Sequence, residues 1–283
     1  MRFHSPTDGT PLEENAAGEL VTAAGEAFPV LAGVPVLVPA PDAFLAQHRE
    51  STLAALAEYD RVTPAVRERL HAAARRAPGL APERFARDWA PPDAALGVAP
   101  AGSLAERLRA LVGAARAAPD LLAEPGPAGA RVLEVGPGAG DRARTLARGA
   151  ARYIALDRSL PALLRTGAEV PGATLVLAEA TALPLADASV DLAVAANVVD
   201  LLDHPFAFLE ELARVLSPGG ELRLSTPDPG LGTGDDGALA ALLEATEAFE
   251  GPALADGIVW PRVHGPRELQ LAVLQRLVVR RRA

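Results

Sequence analysis

The 283-residue chain has no cysteine and no lysine, so all 27 of its basic residues are arginine. Without cysteine there are no disulfides, no thiolate-bound zinc and no cysteine nucleophile. The lack of lysine, beside abundant Ala, Arg, Pro and Gly, reads as a GC-rich coding bias rather than as function. Aromatic residues make up only 4%, too few for the stacking platforms on which unpaired bases are read. Positive charge is also short: the net charge is −9 and the pI near 5.1. That argues against nucleic acid as a partner, because broad binding needs a basic surface. No apolar run reaches the ~18 residues of a membrane span, and no secretory leader is read. A cytoplasmic location without a membrane partner is the expectation. What is plentiful is apolar content, 49%, enough for a sizeable core.

The chain is organised around Val132-Leu133-Glu134-Val135-Gly136-Pro137-Gly138-Ala139-Gly140. The run Val132 to Val135 reads as a buried parallel strand. Three alternate glycines follow, and Asp141 to Arg148 has helical composition. Strand, glycine turn and helix open an α/β nucleotide site, in which a tight turn lets a ligand approach bare backbone. The spacing is not that of the dinucleotide fingerprint, which wants Gly or Ala at the sixth position. Here the third glycine is fifth and the sixth residue is Asp141, an anion where a pyrophosphate would sit. With Glu134, Asp157 and Glu179 expected nearby, the surroundings are acidic. They suit a phosphate-free nucleoside bearing positive charge, and S-adenosyl-L-methionine is such a ligand.

In chain order, residues 1–40 read as a small β unit, with two short strands between Phe28 and Pro39. Residues 41–123 read as a helical lid or linker region. A first helix carries Leu45, Leu53, Leu56 and Tyr59, a second spans Val66 to Ala77, a turn lies around Phe85 to Trp89, and a third helix starts at the capping box Ser103-Leu104-Ala105-Glu106. Residues 124–283 read as the main domain. Strands end at Val135, Asp157, Glu179 and Asn197, a helix begins near Pro205, and a fifth strand runs from Glu221 to Thr226. Such alternation demands a parallel sheet with right-handed crossovers, and ligands lie outside its carboxyl edge. The tail reads as a helix from Gly237 to Phe249, a short strand Ile258 to Trp260, a helix Pro266 to Leu274 and a last strand Leu277 to Val279.

Two resemblances follow from these stretches. "SPTDGTPL" with "GELVTAAGEAFPVLAGVPVLVP" resembles the zinc-ribbon activator subunit of tRNA, rRNA and release-factor methyltransferases. The family's two Cys pairs fall on Ser5 and Asp8, and on Val21 and Ala24 or one residue later. No thiolate is available, so the resemblance implies a ribbon without metal. Residues 131–228 resemble a class I S-adenosylmethionine-dependent methyltransferase of the ubiquinone/menaquinone type, through "VLEVGPGAG", "YIALDRS", "LAEATALPLADASVDLAVAANVVDLL" and "ELARVLSPGGELRLSTPD". This resemblance implies an α/β fold with a Rossmann-like sheet, a helical lid and the small N-terminal β unit. It implies S-adenosyl-L-methionine as cofactor, held by Glu134, Gly136, Pro137, Gly138, Gly140, Asp157, Arg158, Glu179, Ala180 and Asn197. Asp157 takes the place of the acid on the ribose hydroxyls. Glu179 stands where the family usually has the Asp that holds the adenine amine.

Methyl transfer mainly needs alignment of acceptor and methyl; a base helps only where the acceptor must lose a proton. Asp200 and His204 are the catalytic candidates, with Asp203 between them and with Tyr59, Trp260 and His264 as pocket-lining candidates. Transfer to pyrimidine C5 through a cysteine adduct is excluded. Asn197-Val198-Val199-Asp200 departs from the Asn-Pro-Pro-aromatic signature, which disfavours adenine-N6 and glutamine-amide acceptors. The expected enzyme therefore methylates a small molecule. An RNA or translation-protein methyltransferase, a non-catalytic cofactor-binding module and, least favoured, a nicotinamide oxidoreductase stay open, as does a homodimer.

Overall fold

The computed structural model describes residues 2–83, 99–117, 122, 124–235, 237–251, 253–265 and 268–283, with side chains of a few of these left aside. The turn expected around Phe85 to Trp89 lies outside them. At the N-terminus, β1 (Glu13–Glu14), β2 (Leu20–Val21) and β3 (Ala27–Phe28) form a three-stranded antiparallel sheet. A hairpin follows, β4 (Val30–Leu31) and β5 (Val34–Leu37). The helical segment comprises α1 (Pro41–Gln47), α2 (Arg49–Ala57), α3 (Pro64–Arg76) and α4 (Leu104–Ala117). Thr63 starts α3 by accepting the Val66 N–H on its hydroxyl at 3.2 Å, with Pro64 in the first turn. The first expected helix is thus two, broken at His48.

The main domain alternates β6 (Arg131–Val135), α5 (Ala143–Leu146), β7 (Arg152–Asp157), α6 (Leu160–Glu169), β8 (Thr174–Ala178), β9 (Val190–Ala196), a 3₁₀ turn (Val199–Leu201), α7 (Pro205–Val215), β10 (Leu216–Thr226) and α8 (Ala238–Ala245). It closes with β11 (Ala253–Gly265) and β12 (Glu268–Arg280). The large sheet has nine strands in the order β11-β12-β10-β9-β6-β7-β8-β5-β4. The strands from β5 to β10 pair in parallel, and β12 pairs antiparallel to both β10 and β11. The order reverses between β6 and β9, which is where a doubly wound sheet opens a crevice at its carboxyl edge.

Both faces are covered. One core joins Leu133, Ile154 and Leu224 to Phe208, Leu212, Leu239 and Phe249 under α7 and α8. The other joins Val132, Tyr153 and Leu175 to Leu146, Leu163, Leu45, Leu56 and Leu70. Of the segment read as a lid, α1, α2 and α3 join the core beside α6, while α4 packs against β11. His48, at the α1–α2 break, is 6% exposed and lies 3.6 Å from Glu83.

The tail differs from its expectation. The helix from Pro266 to Leu274 is not formed; β12 starts at Glu268, and the short strand at Ile258 to Trp260 is part of a thirteen-residue strand. From Leu269 to Val279, Leu269, Leu271, Val273, Gln275, Leu277 and Val279 alternate on one face. That period of two serves strand pairing on both sides, and tertiary pairing overrides the local helical composition. Among the described residues no helix is long and apolar enough to cross a membrane.

Candidate cofactor and acceptor site

The glycine turn begins where β6 ends. Gly136 donates its N–H to Leu156 O at 2.8 Å, and Gly140 donates to Pro137 O at 2.9 Å. All three glycines have positive φ: 67°, 55° and 80° at Gly136, Gly138 and Gly140. This left-handed backbone favours glycine on conformational grounds alone. Gly136 is constrained twice, since a Cβ there would lie 2.5 Å from Val198 Cγ2. The turn is thereby pressed against the loop that follows β9. Beneath it Glu134, 1% exposed, accepts a short hydrogen bond from the Tyr153 hydroxyl. Burial first, and then the Glu134 carboxylate, push the Tyr153 phenol well above its ordinary range, so it stays a donor.

Asp157 ends β7 and faces the turn. Its Oδ1 accepts the Ser159 N–H at 2.8 Å. Burial drives its carboxyl up to about 6, against backbone N–H bonds from Ser159, Gly138 and Arg158. Its Oδ2 is occluded and has no hydrogen-bond partner among the described residues. An oxygen so placed has lost its water without gaining a donor. At the end of β8, Glu179 is half-buried and pairs with Arg158 Nε at 3.0 Å. Burial raises the Glu179 carboxyl, and Arg158 opposes that. Ala180 beside it is buried.

The other half of the edge belongs to β9 and β10. Asn197 takes φ 57°, a conformation that Asn tolerates better than most non-glycine residues. Its N–H donates to Ser225 O at 2.8 Å, and its Oδ1 accepts the Ser225 hydroxyl at 2.9 Å. Asp200, in the 3₁₀ turn, accepts the Thr226 hydroxyl on Oδ1 at 2.9 Å. Burial raises the Asp200 carboxyl, the Thr226 bond lowers it and Asp228 raises it again.

The structure thus brings Glu134, the glycine turn, Asp157, Arg158, Glu179, Ala180, Asn197 and Asp200 to one carboxyl edge. His204 does not join them: it is exposed at the start of α7 and makes no side-chain cap bond. Asp203 is exposed too. Tyr59 packs at the margin of the α1–α3 core. Trp260 lies on β11, and the His264 side chain is outside those described. Thr226, Ser225 and Gln275 also stand at this edge. Gln275 had one signal, as the single polar residue among the six alternating positions of β12. Among the described residues no three His, Cys, Asp or Glu side chains are grouped so as to hold a metal ion.

Comparison with known proteins fits this geometry. The family model of the methyltransferase domain matches residues 133–224. An uncharacterised methyltransferase of Mycobacteroides abscessus is 39% identical over 102 residues, covering 34% of this chain and 39% of that protein. A probable S-adenosylmethionine-dependent methyltransferase of Mycolicibacterium smegmatis is 39% identical over 101 residues, 36% of this chain and 39% of that protein. The chain spans about two fifths of the length of the curated relatives it matches. Among solved structures, the cyclase SpnF is 19% identical with a TM-score of 0.44, covering 67% of this chain and 87% of that one. Residues 133–224 are thus similar to a methyltransferase domain.

Proposed function

We propose that the protein transfers a methyl group from S-adenosyl-L-methionine to a small-molecule acceptor. The observation that carries this reading is the occluded, unpartnered Oδ2 of Asp157 beside a glycine turn. An acceptor oxygen in that place calls for a hydroxyl donor, and a ribose supplies two. Gly136, Pro137, Gly138 and Gly140 would shape the turn that lines the methionine part. Glu179 and the backbone of Ala180 would take the adenine edge, with Arg158 beside them. Asn197 and Glu134 supply acceptors for the amine end. The bound cofactor supplies an activated methyl on sulfur. The chain's own task is to hold that methyl in line with the acceptor, and such positioning can supply roughly 7–11 kcal/mol.

Calorimetric titration of the full chain with S-adenosylhomocysteine tests this. One-to-one binding that is lost in Asp157→Ala is the expected result. Absence of binding, or unchanged affinity in the variant, overturns it.

We further read the N-terminal unit as a ribbon that hydrogen bonds hold in place of metal. Ser5 Oγ accepts the N–H groups of Thr7 and Asp8 at 3.2 and 3.4 Å and donates to Glu26 at 3.4 Å. Thr22 Oγ1 accepts the Glu26 N–H at 3.0 Å, which favours the later register for the second pair. A fold indifferent to chelators tests this; unfolding by a chelator overturns it.

A further inference from the structure

We propose that the acceptor is an amine carrying an apolar chain, its nitrogen held between Asp200 and Gln275 at the carboxyl end of β10. This rests on the methyltransferase reading above and adds the substrate class. Gln275 is 5% exposed, and its Oε1 has no hydrogen-bond partner among the described residues. It stands directly opposite Thr226 in the antiparallel β10–β12 pair. Opposed residues project to the same face with Cβ atoms about 4.5–5.5 Å apart, so Gln275 borders the Thr226–Asp200 contact. The one proton of the Thr226 hydroxyl goes to Asp200 Oδ1, at 2.9 Å, and its oxygen accepts the Asp228 N–H at 3.0 Å. It has nothing to give Gln275.

The oxygens at this spot are those of Asp200 and Gln275 Oε1, and the one uncharged donor group beside them is the Gln275 amide nitrogen. The charged neighbour that acts on Asp200 is another carboxylate, Asp228. The two carboxylates and the unpartnered amide oxygen favour a ligand that brings donors and positive charge. An ammonium brings three donors, a hydroxyl one, and a carboxylate none. The apolar chain follows from what lies beyond. β10 ends at Thr226, while β12 runs on past it for the seven residues from Glu268 to Leu274, paired there only with β11. Along the Gln275 face this arm shows Val273, 59% exposed, and Leu271, 42% exposed, with Val259 opposite Val273 at 38%. A polar end and an apolar strip on one face fit an amine with an alkyl tail.

The chemistry balances. The ammonium, held against the Asp200 carboxylate, gives it a proton. The freed nitrogen lone pair forms the new N–CH₃ bond as the S–CH₃ bond breaks. The donor's positive charge ends on the methylated nitrogen, and a neutral thioether leaves.

The test uses the full chain saturated with S-adenosylhomocysteine, whose own affinity is measured first. Hexylamine, hexanol and hexanoate are then titrated by calorimetry near pH 7.5. Hexylamine should bind at least about tenfold more tightly than hexanol, the margin of a charge-assisted over a neutral hydrogen bond, and hexanoate should not bind. Gln275→Leu and Asp200→Asn should each shrink the amine's margin while leaving S-adenosylhomocysteine affinity unchanged. Gln275→Leu removes a buried unpartnered acceptor, so it keeps the test open should Asp200→Asn fail to fold. The proposal is overturned if hexanol or hexanoate binds as tightly as hexylamine, if none of the three binds, or if the margin survives in the variants that fold. If S-adenosylhomocysteine does not bind the parent protein, the cofactor reading falls separately. The amine margin is then read on the protein alone.

Discussion

The two halves of the carboxyl edge are built differently. Around β6, β7 and β8 the site is made largely of backbone: three glycines at positive φ and one carboxylate held by the Ser159 N–H. Around β9, β10 and β12 it is made of side chains that meet across strands, as Thr226 meets Asp200 and faces Gln275. A backbone site needs particular residues at fixed spacing and accepts one kind of ligand. A side-chain site can be re-equipped residue by residue on the same sheet. On the proposed function the first half takes the cofactor and the second the acceptor.

The most severe way to break this contrast is Gly136→Val. The new side chain enters a left-handed backbone and meets Val198, so affinity for S-adenosylhomocysteine should fall at least about a hundredfold, or ~2.7 kcal/mol. Gly136→Ala paired with Val198→Ala should recover part of the loss; no recovery in calorimetry would mean that Val198 is not the obstacle. Next comes Asp157→Asn. Losing a charge-assisted acceptor costs about 1.5–3 kcal/mol of affinity. The cofactor-free protein should nonetheless melt at a higher temperature at pH 7.5. The sign follows from the raised carboxyl: stability is fully present below its unfolded value near 3.8 and declines as pH rises through about 6. The amide has no such decline. A lower melting temperature for Asp157→Asn would contradict the burial argument.

The pH dependence of binding is a gentler probe of the same half. Only the ionised Asp157 offers Oδ2 purely as an acceptor, so affinity should rise with pH up to about 6 and then level off. Below that point it should drop roughly tenfold per unit. A flat titration from pH 4.5 to 8 would refute it. The smallest effect is expected at the opposite edge of the sheet. Arg131 pairs with Asp191 at 2.6 Å and holds that carboxyl at about 2. Both are partly exposed, so Asp191→Asn should cost only about 1 kcal/mol and leave ligand affinity untouched. The pair's contribution is present above pH ~4 and fades as pH falls through about 2. A change in S-adenosylhomocysteine affinity would show that the two edges are coupled.

The same contrast explains what could be read from the sequence. The glycine turn, Asp157 and Glu179 were legible because strand, turn and helix follow one another within a few residues. Gln275 was not, because it meets Thr226 only after β12 has paired back across the sheet, about fifty residues later. His204 looked suitable from its place before Pro205, yet the 3₁₀ turn directs Asp200 towards Thr226 and leaves His204 exposed. The tail was misread because Glu268 to Leu274 satisfies a helical stripe as readily as an alternation. Nothing local tells them apart until the pairing with β11 is known.

One last consequence concerns how the molecule comes to be assembled. Val36 of β5 pairs with Leu177 of β8, about 140 positions further along. Closing so wide a loop is entropically slow to be repaid. During synthesis β5 must wait, unpaired on one side, until β8 has emerged. The β4–β5 hairpin is therefore among the later pieces to settle, and β8 is the template on which it does so.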